Sequence, residues 1–274
     1  MLTTLIRELV DSGVHYGHRI SWWNPKMAPY IYGKRNGIHI INVKETVKGL
    51  LVAKKFVSQT VAQGRDVLFV GTKRQACQAI VEQATRCSMP YVSERWLGGT
   101  LTNFRTIRLR LARLEELEAL EQTGQINSYS KKMITMLMRE KRKIKRNLEG
   151  IRKMTQLPGA VVVIDCRHEH LALREARKLG ITTIGLLDTN SDPDLVDIAI
   201  PGNDDAMRAI ELLLKELAEA VEQGRAAQPT EQDKVASKRA SSRRPTTARA
   251  DGGDSPMLAA EDAVAAPPEA QANG

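Results

Sequence analysis

The chain has 274 residues, 42% of them apolar, and a net charge of +9. The apolar fraction suffices for a folded core, which excludes a wholly disordered chain, and the lack of any long uninterrupted apolar window predicts no membrane span. The three cysteines form no CxxC pair, so we expect a cytoplasmic protein without a disulfide framework.

Residues 1–10 form a short amphipathic stretch that contains Arg7 and Glu8. The stretch lacks the long apolar core of a signal peptide, and it is not acid-free as a transit peptide would be. We therefore expect no targeting segment.

Charge is distributed unevenly along the chain. Residues 1–153 hold 28 Lys/Arg against 12 Asp/Glu, a net charge of +16, whereas residues 154–224 have a net charge of −7. Such asymmetry indicates a polyanionic partner on one side of the molecule. A basic surface that serves only solubility is the alternative.

Short apolar runs alternate with helical patterns between residues 37 and 222. The candidate strands are residues 37–42, 66–71, 91–92, 160–165, 183–187 and 197–200. The candidate helices are residues 44–63, 75–86 and 169–179, with a final helix that begins near Asn203 and runs to about Glu222. Continuous apolar runs such as 161–164 are typical of parallel strands buried on both faces. The alternation predicts an α/β fold, an open parallel sheet with helices on both faces.

Residues 104–150 interrupt this alternation. Their apolar residues recur at intervals of three and four, with Lys141 as the one polar position, which predicts an antiparallel coiled-coil helical hairpin. The hairpin would be an insertion in a discontinuous α/β domain of residues 1–103 and 151–224. Residues 139–146 hold six basic residues and one acid, which suits contact with a phosphate backbone.

Residues 225–274 are rich in Ala, Pro, Ser, Thr and Gln and contain no aromatic residue. Such a composition buries too little surface to offset the entropy of ordering the chain. We predict a disordered tail.

Gly71-Thr72-Lys73-Arg74 follows an apolar strand and begins a helix, where free backbone N–H groups attract anions. The segment matches neither a Walker A loop nor a dinucleotide-binding fingerprint. An ordinary strand-to-helix turn is the alternative interpretation. The segment nevertheless supports a runner-up hypothesis, in which the chain is an α/β enzyme or binding protein for a phosphorylated small molecule at Gly71–Arg74.

Two further regions combine basic and aromatic residues in loop-forming sequence, namely residues 22–27 together with 33–37, and residues 94–105. Paired glycines at Gly98-Gly99 permit close approach of a ligand, and aromatic and basic side chains suit irregular RNA. A structural hinge or a packing anchor is the alternative for each.

His18 and the acidic residues Asp188, Asp192, Asp194, Asp204 and Asp205 could hold a divalent ion. Capping and turn roles are the simpler explanation, so we predict no metal site. The sequence offers no catalytic constellation, which predicts neither an enzyme nor a cofactor.

Several motifs in order resemble one known family. They are GVHYGH (13–18), WNPKM (23–27), RNGIHIIN (35–42), VLFVGTKRQA (67–76), RWLGGTLTNF (95–104), DTNSDPDLVD (188–197) and IPGNDDA (200–206). They are similar to the bacterial small-subunit ribosomal protein S-two family, and the similarity covers residues 1 to about 225. The resemblance implies a flavodoxin-like α/β fold with an inserted coiled-coil hairpin.

The resemblance also implies a function. It implies a structural, non-catalytic protein of the small ribosomal subunit that binds ribosomal RNA between head and body and helps to dock the mRNA-binding ribosomal protein S-one. Neighbouring ribosomal proteins would be its protein partners, with no membrane and no homo-oligomer. The RNA-facing positions that it implies are Lys26, Arg35, Lys73, Arg74, Arg95, Trp96, Asn103 and Arg105. Charge alone adds Arg142 and Lys145 on the hairpin.

Overall fold

The computed structural model describes residues 2–228, which form α-helices and strands in the order that the sequence predicts, with some additions. The elements are α1 (Leu2–Asp11), β1 (Tyr16–Arg19), β2 (Ile31–Arg35), β3 (Ile38–Ile41), α2 (Val43–Ala62), β4 (Val67–Val70), α3 (Arg74–Arg86), β5 (Tyr91–Val92), α4 (Phe104–Gln122), α5 (Lys131–Leu148), β6 (Ala160–Ile164), α6 (His170–Lys178), β7 (Thr182–Leu187), β8 (Ile198–Pro201) and α7 (Met207–Ala226).

A parallel sheet of five strands lies at the centre, in the order β5-β4-β6-β7-β8. Numbered within the sheet, this order is 2-1-3-4-5, which is the order of flavodoxin-like folds. All residues of β4 and β6 are buried, as expected for strands covered on both faces. The prediction of an α/β fold around a parallel sheet is confirmed.

Alternate residues of each strand face two separate cores. Val67 and Phe69 pack with the helices α2, α3 and α7, whereas Leu68 and Val70 pack with α6 and the base of α4 and α5. Burial of one such side chain stabilises the fold by about 1.5–3 kcal/mol. The two cores place the hairpin on one face of the sheet.

A second, antiparallel sheet in the order β1-β3-β2 was not predicted. Residues 37–42 were expected to belong to the parallel sheet, and this expectation is wrong. Asn36 and Gly37 both have positive φ, 50° and 74°, which is the geometry of a tight two-residue turn. The turn folds β3 back on β2 and so directs it away from the parallel sheet.

Helices α4 and α5 pack against each other and are joined by a short 3-10 turn, Gln125–Ser128. Their seam buries Leu111 and Leu114 from α4 and Ile144 and Leu148 from α5. At the polar position of the seam, Lys141 makes an ion pair with Glu121. The two arms thus form a helical hairpin, while its coiled-coil winding stays a prediction.

The last helix differs from its predicted bounds at both ends. It begins at Met207 because the Asn203 side chain accepts hydrogen bonds from the backbone N–H groups of Asp205 and Ala206, which closes a turn before the helix. It ends at Ala226, and Gln228 donates a hydrogen bond to the backbone oxygen of Val61, so the prediction of disorder is wrong for residues 225–228. The remainder of the predicted tail, from residue 229 onward, lies outside the described residues. Within residues 2–228, every helix is too short or too polar to cross a membrane.

Candidate nucleic-acid interface

One carboxylate, that of Glu175 on α6, organises the loop between β5 and α4. Glu175 accepts hydrogen bonds from the Trp96 indole at 3.1 Å, from the backbone N–H groups of Gly99 and Leu101 at 2.8 and 3.0 Å, and from the backbone and hydroxyl of Thr102, each at 3.2 Å. A loop that turns on paired glycines has little intrinsic order. The carboxylate supplies the order instead.

The hydrogen bonds to Glu175 also set its pKa. Burial by itself raises the pKa of this carboxyl, but the donors of Gly99, Thr102, Trp96 and Leu101 outweigh burial and hold the pKa below its ordinary value. Glu175 is therefore ionised at neutral pH, as a charged acceptor for the whole loop.

Two arginines, Arg95 in the loop and Arg105 in the first turn of α4, are presented to solvent, whereas the tryptophan of the loop is buried. Trp96 is 6% exposed and packs with the core under the hairpin. Asn103, just before α4, is exposed, and its side-chain oxygen accepts a hydrogen bond from the Thr106 hydroxyl. The structure thus gives Trp96 a packing role and leaves it little surface on which a base could stack.

A stripe of basic side chains follows α5 on the side away from the seam. Lys132, Arg139, Lys143 and Arg146 are exposed, and their spacings of seven, four and three residues place them on one side of the helix. Arg146 lies 3.8 Å from Glu94, which brings the stripe next to the loop that holds Arg95. We call these four residues the α5 stripe.

The predicted hairpin residues Arg142 and Lys145 are also exposed and flank the α5 stripe. Sequence reasoning did not single out Arg139, Lys143 and Arg146, although all three fall in the basic run of residues 139–146. Residues three or four positions apart lie on the same face of a helix. This period, applied to residues 139–146, would have identified Arg139, Lys143 and Arg146 as one face.

Three other residues that were predicted to face RNA lie on other elements than the α5 stripe and the loop ordered by Glu175. Arg35 is exposed at the end of β2, and Arg74 is exposed at the start of α3. Lys26 is exposed but makes ion pairs with Asp192 at 2.9 Å and Asp194 at 2.5 Å. Its ammonium already has anionic partners within the chain.

Lys73 lies among carboxylates at the C-terminal edge of the parallel sheet. Its ammonium is 2.7 Å from Asp204, 2.6 Å from Asp205 and 3.5 Å from Asp165. Burial by itself lowers the pKa of Lys73, but the hydrogen bonds to Asp204 and Asp205 outweigh it and hold the pKa above its ordinary value. Lys73 is a fixed cation that neutralises its acidic neighbours.

Asp204 shows how strongly negative this edge is. Burial, with the charges of Asp165 and Asp188, raises the pKa of Asp204 to about 7, although Lys73 opposes the rise. The imidazole Nδ1 of His18 donates to an Asp188 carboxylate oxygen at 3.0 Å, and this hydrogen bond raises the pKa of His18. An anionic ligand would be repelled here.

This geometry contradicts the hypothesis of a phosphate site at Gly71–Arg74. The backbone N–H of Thr72, which would bind an anion, donates to the buried carboxylate of Glu169 at 3.0 Å. The lysine beside it is held by three carboxylates, as described above. A side chain of the protein itself therefore fills the anion position, and acidic residues surround it.

Three residues of the same edge offer ligand atoms for a divalent cation. Ligand atoms of His18, Asp188 and Asp204 all lie within 4.8 Å of one another. One imidazole nitrogen and two carboxylate oxygens suit Zn²⁺ or Mn²⁺. Pairing of His18 with Asp188 and of Asp204 with Lys73 accounts for the same geometry, so we assign no ion.

Comparison with known proteins agrees with the fold and the motifs. A family model described as "Ribosomal protein S2" matches residues 9–224, which is most of the chain. The chain belongs to the ribosomal protein S2 family. It is therefore a structural, non-enzymatic protein of the small ribosomal subunit.

Curated relatives within the ribosomal protein S2 family are closely similar. The chain is 58% identical to the small ribosomal subunit protein uS2 of Rhodopirellula baltica over 231 residues, 84% of this chain and 89% of that protein. It is 54% identical to the uS2 protein of Mycolicibacterium vanbaalenii over 82% of each chain. It is 51% identical to that of Syntrophobacter fumaroxidans, again over 82% of each chain.

Proposed function

We propose that this chain binds small-subunit ribosomal RNA through the α5 stripe together with Arg95 and Arg105, with Asn103, Arg142 and Lys145 at the margins. The single observation that carries the proposal is the proximity of the α5 stripe to the loop ordered by Glu175. Exposed Arg and Lys side chains neutralise phosphates, which favours binding through release of counterions. Arg35 and Arg74 would contact RNA from separate positions.

The distribution of acidic residues also supports RNA binding on the hairpin side of the protein. Lys26 and Lys73 are paired with carboxylates, and the C-terminal edge of the sheet is rich in acids, so we do not include these lysines in the RNA surface. Trp96 supports the surface from beneath by anchoring the loop. The RNA-binding surface would thus be the hairpin side rather than the sheet edge.

Charge reversal tests this proposal. A variant with Arg139→Glu, Lys143→Glu and Arg146→Glu should bind purified small-subunit ribosomal RNA more weakly. The slope of log K against log salt should become shallower by about 2–3, because roughly one released counterion is lost for each phosphate contact. Binding is measured by filter retention at several salt concentrations.

A matched control carries the same change of charge elsewhere. Lys44→Glu, Lys55→Glu and Lys215→Glu alter exposed residues of α2 and α7, which cover the opposite face of the sheet. This control should retain the wild-type salt slope to within about one contact. Equal losses in both variants would show that only net charge matters and would contradict a defined surface.

We also propose that the chain lies between head and body of the small subunit and helps to dock the ribosomal protein S-one. The family resemblance supports this, and so do Trp22 and Tyr32, which expose 65% and 81% of their surface and suit protein contact. Small subunits assembled with a Trp22→Ser, Tyr32→Ser variant should retain less S-one after gradient sedimentation. RNA affinity of the same variant, measured as above, should stay unchanged, and normal retention of S-one would contradict the docking surface.

A further inference from the structure

A cleft with a volume of about 580 Å³ opens between α4, α5 and the loop ordered by Glu175. Leu97 from the loop and Met136 from α5 supply apolar surface, and Arg110, Arg139 and Lys143 supply positive charge. The volume lies within the range of roughly 300–1,000 Å³ that is usual for small-ligand sites. The cleft therefore has the size of a small-molecule site but lies on the basic side of the hairpin.

The cleft also contains hydrogen-bond acceptors. The side-chain oxygen of Asn147 is buried and has no hydrogen-bond partner among residues 2–228. The carboxylate of Glu140 also lines the cleft, 3.8 Å from Arg113. An unpartnered buried acceptor costs free energy, and rotation of the Asn147 side chain toward a ligand with an N–H donor would recover it.

We propose that this cleft holds one unstacked base of the ribosomal RNA, and that the base carries an amino group. The inference rests on the proposed function and specifies the ligand. Proteins read RNA mainly at unpaired bases that are splayed out against apolar or arginine surfaces. The apolar surface would contact the face of the base, Arg110, Arg139 and Lys143 the flanking phosphates, and Asn147 and Glu140 the amino group. Adenine, cytosine and guanine have such a group, whereas uracil does not.

A protein segment is the competing occupant, and the charge of the cleft disfavours it. Three cations against the one carboxylate of Glu140 give the cleft a net positive charge that favours an anionic partner, and every nucleotide brings a phosphate with its base. A peptide would need several acidic residues beside an apolar one to match the same surface. The observations thus favour RNA.

Photo-crosslinking in assembled subunits tests the inference. Met136 is 56% exposed, so p-benzoylphenylalanine in its place should leave the fold intact. Irradiation of small subunits that contain the full-length variant should crosslink it to an unpaired adenosine, cytidine or guanosine. A crosslink to protein, to paired nucleotides or to uridine, or no crosslink from a chain that is present in the subunit, would overturn the inference. A chain that fails to enter the subunit would instead contradict the proposed function itself.

Filling the cleft provides a second measurement. Leu97→Trp should lower the affinity for small-subunit ribosomal RNA by about tenfold, because the larger side chain occupies the space of the base and contact of one base with apolar side chains contributes on the order of 1.5 kcal/mol. The salt slope should stay unchanged because no phosphate contact is removed. Leu109→Trp is the matched control, since Leu109 is 64% exposed on α4 and is not among the residues that line the cleft. Equal affinities for the two folded variants would overturn the inference; if Leu97→Trp fails to fold, the crosslink decides.

Discussion

The carboxylate of Glu175 accepts a hydrogen bond from the indole N–H of Trp96 across 3.1 Å, although the two residues lie on different elements and 79 positions apart. The bond joins α6 to the loop before the hairpin. Because the same carboxylate also holds the backbone of Gly99 and Leu101, the position of the exposed arginines depends on a residue that itself contacts no RNA in our proposal.

Glu175→Gln should destabilise the protein by about 1.5–3 kcal/mol. An amide keeps one oxygen acceptor but loses the charge, and hydrogen bonds to charged groups contribute roughly this much. Urea unfolding measures the loss. Glu211→Gln, at an exposed position on α7, is the control and should change the free energy of unfolding by less than about 0.5 kcal/mol. If both variants unfold alike, Glu175 does not order the loop.

The contribution of Glu175 should depend on pH in a defined direction. Its pKa is lower in the folded protein than in the unfolded chain, so the carboxylate stabilises the fold above the unfolded pKa of about 4.3. This contribution is lost as the pH falls through the lower folded pKa. The difference in free energy of unfolding between wild type and Glu175→Gln should therefore be constant near neutral pH and shrink below about pH 4. A difference that grows with acidity would have the wrong sign.

Lys73→Met should destabilise the protein by about 1.5–3 kcal/mol, because it leaves the buried carboxylate of Asp204 and the partly buried carboxylate of Asp165 without their cation. Loss of RNA affinity should not exceed what the unfolded fraction explains, since Lys73 already has three carboxylate partners. Thermal unfolding and filter retention give the two quantities. Lys44→Met is the control, because Lys44 is exposed on α2 and lies outside the proposed RNA surface. If Lys73→Met is folded but binds RNA much more weakly, Lys73 contacts RNA and its exclusion from the RNA surface is wrong.

Exchange of the charges in the hairpin seam tests the pair of Lys141 and Glu121. Lys141→Glu places two acids together and should cost about 1 kcal/mol, since the pair is partly exposed. The double variant Lys141→Glu, Glu121→Lys should recover most of that loss. A double variant as unstable as the single one would mean that Lys141 acts through packing of its aliphatic part and not through charge.

The parallel sheet was predictable because its strands are short continuous apolar runs. Runs such as 161–164 are typical of strands that are buried on both faces. The antiparallel sheet was not predicted, although Asn36-Gly37 is a common turn signal. Strand periodicity alone does not say which sheet a strand joins. That choice depends on the turn that follows or precedes it.

The charged residues of the site were harder to predict than the fold. Sequence reasoning treated Lys26, Lys73 and Arg95 alike, because each is a basic residue in a matching motif. Only the fold shows that Asp192 and Asp204 return to meet the two lysines from more than a hundred positions away, while Arg95 stays exposed. Pairing of charges over such distances along the chain leaves no local signal.

The ion pair between Lys141 and Glu121 has one more consequence, for the alignment of the two hairpin helices. A slide of either arm by one turn, about 5.4 Å, would separate the two charges and leave a lysine against leucine side chains. The apolar residues of the seam would tolerate several such offsets almost equally, since one leucine packs much like another. The pair favours a single offset, as does the 3.8 Å contact between Arg113 and Glu140. The hairpin therefore holds Arg139, Lys143 and Arg146 at a set distance from the sheet. If these residues bind RNA as we propose, folding of the hairpin fixes the spacing of the phosphates that they can contact.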